Sequence, residues 1–251
     1  MKELAIASQR TQASPKRLRA RLAGLGALAS VASWLVALEL ANAHSAAGSV
    51  VIGTPTGQLP KIDRAHQLLS FHTGLRDQAL ATGFRCLGLL LTAAVGAYLY
   101  TVVRSRKDEV NRLMLWGAVG AALAVGAATV FGYFALREVA DTFVASGART
   151  VARAQHLTDD SGKLHAAAVF DLLSRIAFAV WVGVASLEMM RADLLDRFLA
   201  YWGFGACISL VLLPIGDAMF IGWLGSIGVI ALGYWPGGRP AGWQQSPALG
   251  S

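Results

Sequence analysis

Apolar residues run along this chain in six stretches, each near the length of a bilayer crossing, and polar residues gather between them. The first stretch covers about Leu22–Ala43, the second Gly83–Val103 and the third Leu113–Leu136. The fourth covers about Ala166–Leu187, the fifth Phe198–Leu213 and the sixth Ala218–Trp235. In hydrocarbon every backbone N–H and C=O must find its partner inside the chain, so such stretches are predicted to be helices. The expected fold is all-α: a six-helix transmembrane bundle with amphipathic helical loops on its outer face. Pro214-Ile215-Gly216-Asp217 joins the last two stretches. Pro ends one helix and Asp217 is a natural N-cap for the next, so the pair reads as a helical hairpin.

The loops are unequal. Residues 44–82 form a long one that passes Thr54-Pro55-Thr56-Gly57 and Pro60. After Pro60, Ile62, Ala65, Leu68, Leu69, Phe71 and Leu75 recur at helical spacing among polar residues. This predicts an amphipathic helix lying on the membrane surface or on the bundle. The second long loop, 137–165, begins as a continuation of the third helix. It is expected to break near Gly147 and to reform, with Asp159, Asp160 and Ser161 offering caps before the fourth helix.

Charge orients the bundle. The formal net charge of +7 and 55% hydrophobic residues over 251 positions are concentrated differently: the charge lies in the loops. Lys2, Arg10, Lys16, Arg17, Arg19, Arg21, Arg104, Arg106, Lys107, Arg112, Arg191, Arg197 and Arg239 fall on one side. Lys61, Arg64, Arg76, Arg85, Arg137, Arg149, Arg153 and Lys163 fall on the other, within longer loops. The positive-inside rule then places both termini in the cytoplasm. The expected organisation is a basic cytoplasmic segment 1–21, a six-helix domain 22–235 and a disordered cytoplasmic tail 236–251 rich in Gly and Pro. Because the basic residues flank apolar stretches and form no continuous face, nucleic acid is not an expected partner; the lipid bilayer is. The first stretch has a second reading as a cleaved signal peptide, since basic Lys16-Arg17-Leu18-Arg19 precedes it and Ala41-Asn42-Ala43 follows the small-x-small pattern. Its length and the nearness of Glu39 favour a retained anchor. Cys86 and Cys207 lie in different apolar stretches at different depths, so no disulfide is expected.

Four ionisable residues stand out. The uncharged run Ile176–Leu187 spans only about 18 Å as a helix. The crossing must therefore take in Asp171 and Arg175, or Glu188. Asp171 and Arg175 share a helical face in the favourable order, acid first. A charge at mid-membrane costs roughly 3 kcal/mol or more, so this pair should face the bundle interior or a wet cavity. Glu39 and Arg85 sit near the outer ends of consecutive antiparallel helices and are expected to join them in one polar site. The alternatives are an internal salt bridge for the first pair and snorkelling side chains for the second. The five histidines, His44, His66, His72, His156 and His165, fall on the outer side without metal-ligand spacing. No metal or other cofactor is expected.

Small residues line the third stretch at four-residue spacing (Gly117, Ala121; Gly120, Ala124, Ala128; Ala118, Ala122, Gly126) and the sixth carries Gly222, Gly225 and Gly228. These read as packing faces, with a homodimer face as the alternative. Trp202, Trp223, Trp235, Tyr201 and Tyr234 suit an aromatic belt. Gly24-Leu25-Gly26-Ala27-Leu28-Ala29 imitates a dinucleotide fingerprint but follows no strand, and no metalloprotease, nucleophile-elbow or Walker motif is present. An enzyme is therefore the least supported class.

Three runs carry a resemblance: Phe143-Val144-Ala145-Ser146-Gly147-Ala148-Arg149-Thr150-Val151-Ala152-Arg153-Ala154, Met190-Arg191-Ala192-Asp193-Leu194-Leu195-Asp196-Arg197-Phe198 and Tyr234-Trp235-Pro236-Gly237-Gly238-Arg239-Pro240. Together they resemble a family of uncharacterised multi-pass membrane proteins common in actinobacteria. The resemblance covers roughly the last 110 residues and implies a bacterial plasma-membrane location. It implies no activity and no site residues. Two functions are weighed: a non-enzymatic structural or interaction protein of the membrane, working through other membrane proteins, a second copy or lipid; and a small permease or ligand sensor with an outward-facing pocket built from Glu39, Arg85, Asp171 and Arg175.

Overall fold

The computed structural model describes residues 15–42, 64–107, 109–147, 150–213 and 215–234. They form eight α-helices: α1 Pro15–Asn42, α2 Arg64–Thr73, α3 Leu75–Arg104, α4 Leu113–Ala145, α5 Val151–Asp159, α6 Gly162–Arg191, α7 Arg197–Leu212 and α8 Gly216–Leu232. The tail from Trp235 and most of the first long loop lie outside the described residues.

The expected six crossings become four. By length and composition α1, α3, α4 and α6 can each cross a membrane, whereas α7 and α8 are shorter apolar helices. Sixteen residues in α7 and seventeen in α8 reach only about 24–26 Å, less than the roughly 30 Å of hydrocarbon. Hydropathy reads apolarity, and both helices are predominantly apolar; length excludes them. The molecule is a multi-pass membrane protein with four long spans and a short apolar hairpin inserted among them.

Six helices close a ring in the order α1, α3, α4, α6, α7, α8, and α8 returns to α1. Small residues let them approach. A Cβ on Gly96 would lie 2.6 Å from that of Ala118, and Gly117 takes the Trp181 ring at 3.2 Å. Gly228 of α8 faces Ala27 and the Gly24 carbonyl of α1. The Gly/Ala stripes of α4 and α8 thus pack largely within one chain, although Gly120 has no neighbour within 4 Å. In lipid this packing replaces the hydrophobic effect as the force that joins helices. Polar links reinforce it: Ser30 donates to the Gly88 carbonyl at 2.7 Å and shares a hydrogen bond with Thr92 at 2.9 Å, and the Trp181 indole donates to the Met114 carbonyl at 3.0 Å.

An aromatic cluster fills the centre. Phe178, Trp181, Phe220, Trp223 and Trp34 follow one another with ring centroids 4.9–6.4 Å apart. Trp223, expected in an interfacial belt, is fully buried here. Gly203 makes the room, since a Cβ there would lie 2.7 Å from the Trp223 indole nitrogen. Tyr201 and Tyr234 are exposed.

The helix ends are capped, at Ser161 and Gly147 as expected and at Asp196 and Gly233 besides. Ser161 caps α6 through Leu164 N–H, Asp196 caps α7 through Leu199 N–H, and Gly147 adopts φ +68° just beyond α4. Gly233, at φ 90°, closes α8 in the left-handed conformation that a Cβ would disfavour. Asp217 differs from expectation: Ile215 takes the N-cap position, and Asp217 stands in the first turn of α8.

At one end α4 runs on past the ring, and α2 and α5 pack against it and against each other as a headpiece. Ala65, Leu68 and Phe71 of α2 meet Val139, Ala140 and Phe143 of α4 and Ala154 of α5 in a second small core. The amphipathic helix therefore lies on the bundle. Lys163–Glu138, Arg64–Asp159, Arg137–Asp141 and His72–Asp141 pairs edge the headpiece. At the opposite, basic end, Glu188 is 7% exposed and is held between Lys107 Nζ at 3.3 Å and Arg191 at 3.5 Å. Replacing Lys107 and Arg191 together by alanine strands that carboxylate, and a loss of about 3 kcal/mol is expected. A thermal melt of the double variant checks this, and Glu188→Leu added to it should recover most of the loss.

Candidate functional site

The sequence pointed to four charged residues, and the fold distributes them. Asp171 and Arg175 form an ion pair within α6, Nε to Oδ2 at 2.7 Å, on the flank of its buried face. Arg85 of α3 meets Asp217 of α8, Nη2 to Oδ2 at 3.5 Å. Glu39 is exposed on α1 and has no ion-pair partner among the described residues.

The two ion pairs share a depth. Lys163 meets Glu138 near the headpiece, and the Trp181 indole meets Met114 towards the basic end. Asp171 lies between these marks, opposite the middle of α4. There Cys86, next to Arg85, approaches the Gly126 carbonyl at 3.9 Å. The pairs are thus level with each other, one reached through α3 and the other on α6, with α4 packed between them.

Arg85 and Asp217 border a cavity of about 390 Å³ between α1, α3 and α8. Trp34, Leu35, Leu38 and Ile221 give it apolar walls, and Gln78, Thr82 and Thr129 bring polar groups. The Arg85 guanidinium lies over the Trp34 ring, 4.9 Å from its centroid, which suits a cation over a π face. Its side chain is 25% exposed and that of Asp217 is 12% exposed. The pair is under-coordinated. Asp217 reaches one guanidinium nitrogen at the long end of hydrogen-bond distance, and Arg85 Nε is enclosed without an acceptor. A buried donor left unpaired costs about 1–3 kcal/mol, more when charged.

The other polar groups are largely committed. Thr82 donates to the Gln78 carbonyl, Thr129 to the Val125 carbonyl, and Gln78 Nε2 to the Ala41 carbonyl. Both threonine oxygens therefore present lone pairs, and Arg85 is the charged donor of the cavity. Among the described residues no three His, Cys, Asp or Glu side chains gather as a metal site.

Arg85 was legible as an arginine inside an apolar stretch. From the sequence alone Asp217 reads as a cap, because its partner lies 132 positions away and only the hairpin brings it there. A sharper signal was available: an acid beginning a wholly apolar helix needs a cation at its own depth. Comparison with protein-family models, with curated proteins and with solved structures found no match to this chain.

Proposed function

We propose that this multi-pass protein binds a small ligand in the Arg85–Asp217 cavity, acting as a sensor or small permease and not as an enzyme. The under-coordinated ion pair carries this reading. A pair meant only to join α3 and α8 would gain from a short, bidentate contact, whereas Arg85 meets Asp217 through one long contact at the edge of a cavity. Pockets of this size, apolar with a few convergent polar groups, are the usual form of small-molecule sites. The proposal places the protein in a bacterial plasma membrane, in keeping with the actinobacterial resemblance of roughly its last 110 residues. The basic end and both termini face the cytoplasm, by the excess of Lys and Arg there, so the headpiece and the cavity lie on the outer half. The test is the thermal stability of detergent-purified protein against soluble anions, cations, metabolites and lipids. A saturable rise that vanishes in Arg85→Gln is the expected result; no rise with any compound overturns the reading.

The Asp171–Arg175 pair favours the second reading, a structural or interaction protein. It closes within one helix and makes no demand for a ligand. In that case no compound raises the stability, and Arg85→Gln changes only the melting temperature.

A further inference from the structure

The Arg85–Asp217 cavity holds one cation and one anion side by side. Arg85 stands on α3, and Asp217 in the first turn of α8. Both line the cavity, and they meet through a single contact, Nη2 to Oδ2 at 3.5 Å. Arg85 Nε is enclosed, so a ligand can reach the guanidinium only at its terminal Nη edge. The pair as it stands is neutral. Charges taken out of water have to stay balanced. A ligand with a single charge would leave one charge uncompensated at this depth, whereas a ligand that carries one of each sign would not.

We infer that the cavity binds a zwitterion, an aliphatic α-amino acid, whose carboxylate meets the Nη edge of Arg85 and whose ammonium meets Asp217. This rests on the ligand-binding reading above and names its substrate class. Three observations select the ligand beyond its charge. First, the two protein charges are adjacent, so those of the ligand must be adjacent too. An α-amino acid has a single carbon between its ammonium and its carboxylate, and these reach partners 3.5 Å apart. One long contact is then exchanged for two charge-assisted ones. Second, the ammonium brings several donors. Thr82 and Thr129 line the cavity, donate to the Gln78 and Val125 carbonyls, and so offer lone pairs to a ligand. Gln78 Nε2 is likewise engaged by the Ala41 carbonyl, which leaves the side-chain oxygen as a further acceptor. A lining rich in acceptors with one guanidinium matches a ligand of several donors and one carboxylate. Third, Leu35, Leu38 and Ile221 form apolar walls. They suit a hydrocarbon side chain and would leave a polar one unsatisfied. About 390 Å³ lies near the lower end of the range for small-molecule sites, so the ligand is small.

The test uses the whole protein in dodecyl maltoside, a neutral detergent, with radiolabelled L-leucine and L-alanine as probes. Binding of at least one should saturate and be displaced by the unlabelled amino acid. Isocaproate, which lacks the ammonium, isoamylamine, which lacks the carboxylate, and ε-aminocaproate, whose charges stand apart, should not displace it at matched concentration. Arg85→Gln and Asp217→Asn should each weaken binding about tenfold or more, because each removes one charged partner of the ligand. The double variant strands no charge, so it should melt near the wild-type temperature and still fail to bind. Ala218→Phe, at an exposed position lining the cavity, should block binding with the ion pair intact. Absence of saturable binding of both probes overturns the inference. So does equal displacement by either one-charge analogue, or binding that survives in the double variant. Parallel melts with the three analogues and with short-chain phosphatidylethanolamine separate the two levels. An Arg85-dependent rise with any of these compounds, without amino-acid binding, removes the amino acid and keeps the pocket. No Arg85-dependent effect of any compound removes both.

Discussion

Replacing Gly216 by alanine is expected to lower the melting temperature of the detergent-solubilised protein more than any other single added methyl group. Gly216 opens α8 where the hairpin turns. A Cβ there would run into the Ser209 carbonyl and lie 2.5 Å from Leu210 Cα and 2.6 Å from Ser209 C. All three are backbone atoms of α7, so no side-chain rotation relieves the clash. The two helices must separate, and overpacking of this kind costs about 3 kcal/mol or more. Separation also moves Asp217, one residue on, away from Arg85. The variant should therefore lose ligand-induced stabilisation along with stability. Gly132→Ala is the control, because nothing lies within 4 Å of its would-be Cβ. It should melt at the wild-type temperature or slightly above, since alanine favours helix by up to about 1 kcal/mol. Equal melting of the two variants would show that the close hairpin does not form in the folded protein.

The second large effect is expected at Asp171 and Arg175. Arg175→Met leaves the Asp171 carboxylate without its cation at the depth of the middle of α4, and Asp171→Leu does the converse. Each single change should cost roughly 3 kcal/mol in stability or insertion. The double variant should recover most of it, because two apolar side chains meet lipid and bundle without a desolvation penalty. The measurement is a double-mutant cycle on melting temperature and on the fraction inserted. Equal damage from all three variants would mean that the charges act on separate partners.

These two experiments probe what was written locally and what was not. The Asp171–Arg175 contact was legible because its spacing puts both side chains on one helical face, and α6 had to form there. The break at Gly147, the Ser161 cap and the turn at Gly216 were legible for the same reason, being set within a few residues. Glu188 lacked such a signal. It was read only as a limit of the apolar run, and its clamp by Lys107 comes from the turn after α3, 81 positions away.

By itself the sequence determined the all-helical membrane class, the approximate positions of the helices and the charge asymmetry of the two ends. Each follows from local hydropathy, spacing or charge. Tertiary structure alone decided that four helices are long enough to span while α7 and α8 form an inserted hairpin. It brought Arg85 to Asp217, left Glu39 on the surface and buried Trp223. The reason is physical: apolarity and periodicity tell a helix that it belongs in lipid, and say nothing of which neighbour it meets. That choice rests on shape, on where a glycine lets a backbone or an indole come close, and on which charges then fall at the same depth.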